Sequence, residues 1–233
     1  MKNSNEFDKF ANNYRELHTK NVQDVSGESS NYFSEYKIKE LCHVFSANSH
    51  LNFLDLGCGD GNTARYVKQY FPLFDYQGLD VSAESVKMAI SRGIDGCEFK
   101  VYDGGIIPYD DNTFDVVFMA CVMHHVDKEK HVSLLSEVYR VLKKGGKLIV
   151  FEHNPYNPLT RRLVKDCPFD DGAILISAKQ LINKILKSGF MSRGVLHYTI
   201  FMPRKGLFHK MIFLEKKLFW LPLGGQYYYI SEK

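Results

Sequence analysis

The sequence has no run of about 18 apolar residues, so no segment is expected to span a membrane. Its first ten residues, Met1 to Phe10, lack the apolar stretch of a secretory signal. Cysteine is sparse and odd in number. The five residues, at 42, 58, 97, 121 and 167, include no C-x-x-C pair, which argues against a disulfide framework or a paired-cysteine zinc site. Free, scattered thiols suit a reducing cytoplasm. Charge of one sign is lacking too: 30 Lys and Arg oppose 27 Asp and Glu, for a net charge of +3. Without a basic stripe, no nucleic-acid partner is expected. No internal repeat or low-complexity stretch interrupts the chain.

What remains is enough for one domain. The 233 residues are 45% hydrophobic, sufficient for a single large core. To about residue 49 the pattern is helical, with Phe7, Phe10, Ala11, Tyr14 and Leu17 on one face. A second helix carries Phe33, Tyr36, Leu41, Val44 and Phe45 inward. Strands then alternate with helices. Strands are expected at 53–56, 76–80, 98–101, 114–120 and 147–151. Ser82 and Asp127 are placed to cap two of the helices, and Gly145-Gly146 to end the second of them. Ser177 to Gln180 reads as a capping box, with Gly189 closing its helix. Val195–Phe201 and Gln226–Ile230 read as final strands. Such alternation predicts βαβ units and a parallel sheet with helices on both faces. The expected division is a helical lid over 1–49 and a core domain over 50–233. That core carries a loop insertion at 153–176 and a helical insertion at 203–224.

The chemistry is concentrated at strand ends. Leu54-Asp55-Leu56-Gly57-Cys58-Gly59-Asp60-Gly61 takes a strand into a turn whose glycines remove the Cβ atoms that would block a ligand. The spacing is G-x-G-x-G. A dinucleotide loop needs glycine at 62, where this chain has Asn62. Asp80 ends the second strand, where an acid can accept both hydroxyls of a ribose. Val81 can pack on an adenine face. Asp103, with the Gly104 amide nearby, can meet the adenine amine. The acids at 55, 80 and 103 supply negative potential for a cationic ligand. Asp60 reads as a helix-cap acid, and Cys58, Ala120 and Cys121 as small residues beside the ligand.

Taken in order, LDLGCGDG, GLDVS, YDGGIIPYDDNTFDVVF, HHV and VLKKGGKLIVFE resemble class I methyltransferases of the ubiquinone/menaquinone-biosynthesis type, over roughly residues 51–152. The resemblance implies S-adenosylmethionine as cofactor and a seven-stranded, Rossmann-like sheet of order 3-2-1-4-5-7-6 with strand seven antiparallel. FDKFANNY is similar to that family's N-terminal lid, which implies a cofactor contact for Tyr14. EHNPYNPLTRR, CPFDDGAIL and LPLGGQYYY resemble a bacterial subgroup.

In that strand order the crevice opens between strands one and four, and His125 and His153 flank the acceptor side. Either can be the general base, with His153 preferred because its loop is held by Pro155 and Pro158. After strand four the chain reads Ala120-Cys121-Val122-Met123-His124-His125, with no carboxylate cluster, so no metal ligand is assigned and turnover without a divalent metal is expected. The expected reaction is SN2 transfer of a methyl group to a small-molecule, sugar or polysaccharide-precursor, or lipid-linked acceptor, at oxygen. The rival readings are a nicotinamide-dependent reductase on a related sheet and a non-catalytic cofactor-binding partner protein. Leu207, Phe208, Met211, Ile212, Leu214, Leu218 and Phe219 share a helical face expected to pack as core; peripheral membrane contact is the lesser reading.

Overall fold

Apolar residues on both faces of the central strands demand cover on both sides. The computed structural model describes residues 23, 28–191, 194–202 and 212–233. Among them a seven-stranded sheet runs in the order β3-β2-β1-β4-β5-β7-β6. The strands are β1 (Asn52–Leu56), β2 (Asp75–Asp80), β3 (Cys97–Val101), β4 (Phe114–Ala120), β5 (Leu142–His153), β6 (Val195–Thr199) and β7 (Gln226–Glu232). β1 to β5 pair in parallel, and β7 lies antiparallel between β5 and β6. This is the topology expected from the resemblance.

Successive strand residues point into two separate cores, as the period of two requires. Leu54, Val117, Met119, Leu148 and Val150 enter one, which α4 (His131–Val141) and α6 (Ala178–Lys187) close with Leu134, Leu135, Val138, Leu181 and Ile185. Phe53, Val116, Phe118, Ile149 and Phe151 enter the other. It is closed by α1 (Ser30–Leu41), α2 (Asn62–Tyr70) and α3 (Ala83–Ser91) through Ile38, Leu41, Ala64, Val67, Val86 and Ala89. Each large aliphatic side chain so buried contributes roughly 1.5–3 kcal/mol, which makes layer packing the main support of the sheet. The end of the segment expected to form a lid is therefore part of the core. Its Glu40 accepts a hydrogen bond from Tyr228 at 3.2 Å, and Glu35 one from Tyr70 at 2.6 Å.

Several local signals hold. Ser82 caps α3 by accepting from the Ser85 N–H, Ser177 and Gln180 form the capping box of α6, and Gly189 follows α6 with φ +115°. Others are corrected. Asp127 does not cap α4. A 3₁₀ turn, Lys128–Lys130, intervenes because no residue of it packs inward, and Asp127 pairs with Lys130 at 3.2 Å. Gly145-Gly146 does not end α4, which stops at Val141. Leu142 is buried and already pairs with Phe114, and the register then jumps to Val116 opposite Lys147. The glycines thus serve a bulge in β5, where Gly145 (φ +78°) donates its N–H to the Lys233 carbonyl at 2.9 Å. α1 ends at Leu41, and the turn that follows sets Phe45 edge-on against Phe71 and Phe74. β6 ends at Thr199, before Ile200 turns to φ +61°.

The expected helix over 207–219 lies partly outside the described residues. Its described part forms two short turns, Ile212–Leu214 and Glu215–Leu218. Turns this short cannot bury one continuous face: Phe213 is 68% exposed, and Trp220, just beyond, 65%. Tyr14 and the lid residues 1–22 and 24–27 also lie outside the described residues.

Candidate active site

Parallel pairing brings the carboxyl ends of β1, β2, β4 and β5 to one edge of the sheet. The neighbours of β1 are β2 on one side and β4 on the other, so the chain's order reverses there and a crevice opens. The glycine loop leaves β1 at this edge, and its three glycines serve different ends. Gly57 (φ +84°) donates to the Leu79 carbonyl at 2.7 Å, and an added Cβ would lie 2.4 Å from the Val122 side chain. Gly61 (φ +73°) is crowded by Ala89 of α3, 2.8 Å from an added Cβ. Gly59 (φ +53°) differs: an added Cβ meets no described atom within 4 Å. That open space is where a ligand can approach the backbone.

Asp80 is fixed beside it. One carboxylate oxygen accepts the Gly59 N–H at 2.8 Å and the other the Ser82 N–H at 2.9 Å. Each oxygen has two acceptor sites, so a clamped carboxylate can also receive a ribose diol. A backbone cradle with open space beside an oriented acid fits the nucleoside half of S-adenosylmethionine, and no phosphate-binding lysine is present in the loop. Val81 is half-buried against the first core. Asp103 is exposed and accepts the Gly105 N–H at 2.8 Å, next to Gly104 with φ +81°.

Asp55 lies deeper. It is buried and accepts the Tyr76 hydroxyl at 2.6 Å. Burial pushes its carboxyl up to about 7, with Asp80 adding and the Tyr76 hydrogen bond and Lys37 opposing. Its share of the negative potential at neutral pH is thus smaller than that of a surface acid. Asp60 accepts the Asn62 N–H at the start of α2 and pairs with Arg92 at 2.5 Å. Cys58 is buried, and burial holds its thiol well above the ordinary value, so it is a packing residue rather than a nucleophile. Half-buried Ala120 ends β4. Cys121 follows in the left-handed region (φ +61°), its N–H held by the Phe151 carbonyl at 2.8 Å. That conformation costs a non-glycine residue roughly 1–2 kcal/mol. It turns the chain back so that a 3₁₀ turn, Met123–His125, lies over the ends of β4 and β5.

There the structure assembles a cluster of three histidines and two acids. Glu152, fully buried at the end of β5, accepts the Met123 N–H at 2.7 Å and meets His124 Nδ1 at 2.6 Å. Asp170 Oδ1 lies 3.6 Å from His124 Nε2 and 3.4 Å from His125 Nε2. The His153 ring centre is 5.2 Å from that of His124, and the Gln226 amide lies 3.4 Å from His153 Nδ1. Burial alone would lower the His124 pKa, but the Glu152 and Asp170 carboxylates outweigh it and hold the imidazole charged. Burial and that neighbouring charge push His153 down to about 4, so it is neutral. Glu152 and Asp170 are held below the usual carboxylate range by the histidines, against the effect of burial.

Sequence reasoning singled out His125 and His153, which the structure brings into one cluster, but not Glu152 or Asp170. Glu152 had a signal, being the one acid of β5, directly after its apolar run Leu148 to Phe151. Asp170 had none, because the loop of 153–176 alone brings it back to β4: α5 (Pro158–Asp166) and the turn Pro168–Asp170 carry it there, and the Ile174 N–H donates to the His124 carbonyl at 3.0 Å.

Known proteins agree with this geometry. Residues 54–150 match the family described as "Methyltransferase domain". A demethylmenaquinone methyltransferase of Thermotoga maritima is 36% identical over 104 residues, 45% of this chain and 44% of the relative. A "probable tRNA methyltransferase 9B" of Bos taurus is 32% identical over 141 residues, 58% of this chain and 30% of the relative. The chain thus matches less than half the length of these curated relatives. An S-adenosylmethionine-dependent methyltransferase of Thermotoga maritima, named as a possible histamine N-methyltransferase, superposes with a TM-score of 0.68 over 98% of this chain and 99% of that one, at 22% identity. At that identity the likeness establishes the fold. The glycine loop, the acid after β2 and the strand order therefore agree with the match of residues 54–150 to that methyltransferase domain, on the fold of class I, S-adenosylmethionine-dependent methyltransferases.

Proposed function

We propose that the protein transfers the methyl group of S-adenosylmethionine to a hydroxyl oxygen of a small-molecule, sugar or polysaccharide-precursor, or lipid-linked acceptor. The observation that carries the donor half is the open space at Gly59 beside an Asp80 held by two backbone N–H groups. The donor's sulfonium is already activated, so the chain's main tasks are to align two reactants and exclude water. Gly57, Cys58, Gly59 and Gly61 form the cradle, Asp80 takes the ribose, and Val81, Asp103 and Gly104 border the adenine. Asp55, Ala120 and Cys121 back the methionine side, and Tyr14 is the further cofactor contact that the resemblance implies.

The acceptor half rests on the histidines. An oxygen acceptor must lose a proton, and imidazoles at the carboxyl ends of β4 and β5 lie on the edge where the cofactor cradle opens. His153 is the proposed base: its lowered pKa keeps it unprotonated and ready to accept, though as a weak base, and its ring is oriented by Gln226, whereas His125 is tied to Asp170. The relatives' names point to a menaquinone precursor, tRNA and histamine, so likeness over the cofactor-binding half carries no acceptor with it. The balance of 30 basic and 27 acidic residues supports an acceptor other than nucleic acid. The test is transfer of labelled methyl from S-adenosylmethionine to fractionated metabolites, glycan precursors, lipids and tRNA. Label on a hydroxyl-bearing small molecule or precursor is expected, and replacing His153 with Ala lowers kcat about 10²–10⁴-fold with donor affinity kept. Label confined to tRNA, or to nitrogen or carbon, overturns the acceptor assignment, and an unchanged kcat removes His153 as base.

A further inference from the structure

The proposed reaction makes no use of His124, His125 and Asp170 as a group, yet their geometry is that of a metal site. One ligand atom from each lies within 4.8 Å of the other two. The His124 side chain is completely buried, and Glu152 engages its Nδ1 at 2.6 Å. That contact fixes the ring so that Nε2 looks toward Asp170. His124 Nε2 is itself buried and has no hydrogen-bond partner among the described residues; the nearest carboxylate oxygen of Asp170 is 3.6 Å away. A buried imidazole whose one nitrogen is held by a carboxylate while the other is aimed at further ligands is the arrangement in which a histidine binds a metal, the carboxylate fixing tautomer and orientation.

Ligand type and spacing together favour one class of metal. Bonds of about 2.0–2.2 Å in tetrahedral geometry place neighbouring ligand atoms roughly 3.3–3.6 Å apart. Octahedral magnesium, at about 2.0–2.1 Å, places them roughly 2.9 Å apart. The two separations from Asp170, 3.4 and 3.6 Å, lie near the tetrahedral value, and the two histidine nitrogens lie within 4.8 Å of each other. Two imidazoles and one carboxylate also suit zinc-class transition metals rather than magnesium or calcium. We infer that His124 Nε2, His125 Nε2 and Asp170 bind one transition-metal dication of the zinc class, which displaces to solvent the proton that His124 Nε2 carries in the metal-free state, with Glu152 orienting His124. This replaces the expectation of a metal-free site, which considered only the residues next to β4 in sequence. Three protein ligands leave a fourth position for water or an acceptor hydroxyl. Only the use of that fourth position rests on the proposed methyl transfer; the binding of the metal does not.

The experiment reads metal binding and not turnover, so failure of the proposed transfer leaves it decisive. The full chain, stripped with a chelator and dialysed, is titrated with Co²⁺ alone and followed by visible absorption. One equivalent is expected to saturate the protein and give the d–d bands of four-coordinate cobalt without thiolate charge transfer. Glu152→Gln, which leaves the three ligands in place, is expected to weaken binding about 10–100-fold. His125→Ala and Asp170→Asn are expected to abolish the bands while a cooperative melt and S-adenosylmethionine binding persist. Absence of bands from the wild-type protein at equimolar cobalt overturns the inference. So does thiolate charge transfer, which would place the ion on cysteines, or equal affinity in the His125 and Asp170 variants. If the variants fail to fold, the wild-type stoichiometry and spectrum still decide.

Discussion

At the scale of single residues, the three loop glycines separate folding from binding. A Cβ at Gly59 points into open space, whereas one at Gly57 would lie 2.4 Å from Val122. Both residues sit at positive φ, so both substitutions carry roughly 1–2 kcal/mol of backbone strain, and only the second adds a collision. Gly59→Ala is therefore expected to lower S-adenosylmethionine affinity at least about tenfold with a modest loss of stability. Gly57→Ala is expected to melt at clearly lower temperature. Calorimetric titration and thermal unfolding of the two variants check this, and the reverse ranking would refute the assignment.

Asp55 makes a second residue-scale prediction. Its carboxyl is raised to about 7 by burial, Asp80 adding to the rise while Tyr76 and Lys37 oppose it. The ordinary unfolded value is about 3.9. Between those values the folded state holds the proton more tightly, so stability from this group is full at low pH and is lost as pH rises through 7. Asp55→Asn keeps a side-chain oxygen for the Tyr76 hydroxyl and removes the titration. Relative to the wild type it should gain stability from pH 5 to pH 8, on the order of a few kcal/mol. Urea unfolding at the two pH values measures it, and a parallel pH dependence of both proteins would show that Asp55 does not titrate as described.

At the scale of elements, capping and burial decide where segments begin and end. Ser177 accepts the Gln180 N–H, and the Gln180 side chain accepts the Ser177 N–H, so α6 starts with both donors satisfied. Ser177→Ala should cost about 1 kcal/mol, read as a lower denaturation midpoint with unchanged slope. No change would mean that the packing of Leu181 and Ile185 alone sets the helix start. The same comparison explains which boundaries were legible. Ser82 and Ser177 cap helices because apolar residues follow at once. Asp127 looked equivalent in sequence, but Lys128, Glu129 and Lys130 offer nothing to the core, and α4 waits for His131. Gly145-Gly146 resembled a helix stop because a glycine pair reads the same in a helix end and in a bulge. Only the pairing of Leu142 with Phe114 distinguishes the two.

At the scale of the whole molecule, strand order and the edge that carries the glycine loop were readable because they depend on contiguous patterns: a strand, its glycine loop, and an acid at the next strand's end. The histidine cluster was half readable. His124, His125 and His153 stand at strand ends, and Glu152 precedes His153 in sequence, but Asp170 reaches them only through the long loop that carries α5 and a 3₁₀ turn. Contacts made by such a loop have no local spacing to betray them, and the same holds for Gln226, which arrives from β7 to orient His153. The glycine-loop side of the candidate site is thus written in short-range sequence, and the histidine side in long-range packing.

The central claim is that the carboxyl ends of β1 and β2 hold S-adenosylmethionine, with Asp80 as the ribose acceptor. Isothermal titration of the wild-type protein and Asp80→Ala with S-adenosylmethionine tests it most directly. Loss of hydrogen bonds to a charged acceptor costs roughly 1.5–3 kcal/mol, about tenfold to a hundredfold in affinity. One site in the wild type and a dissociation constant raised by that factor in the variant are expected. Equal dissociation constants, or no binding by the wild type, would contradict the account.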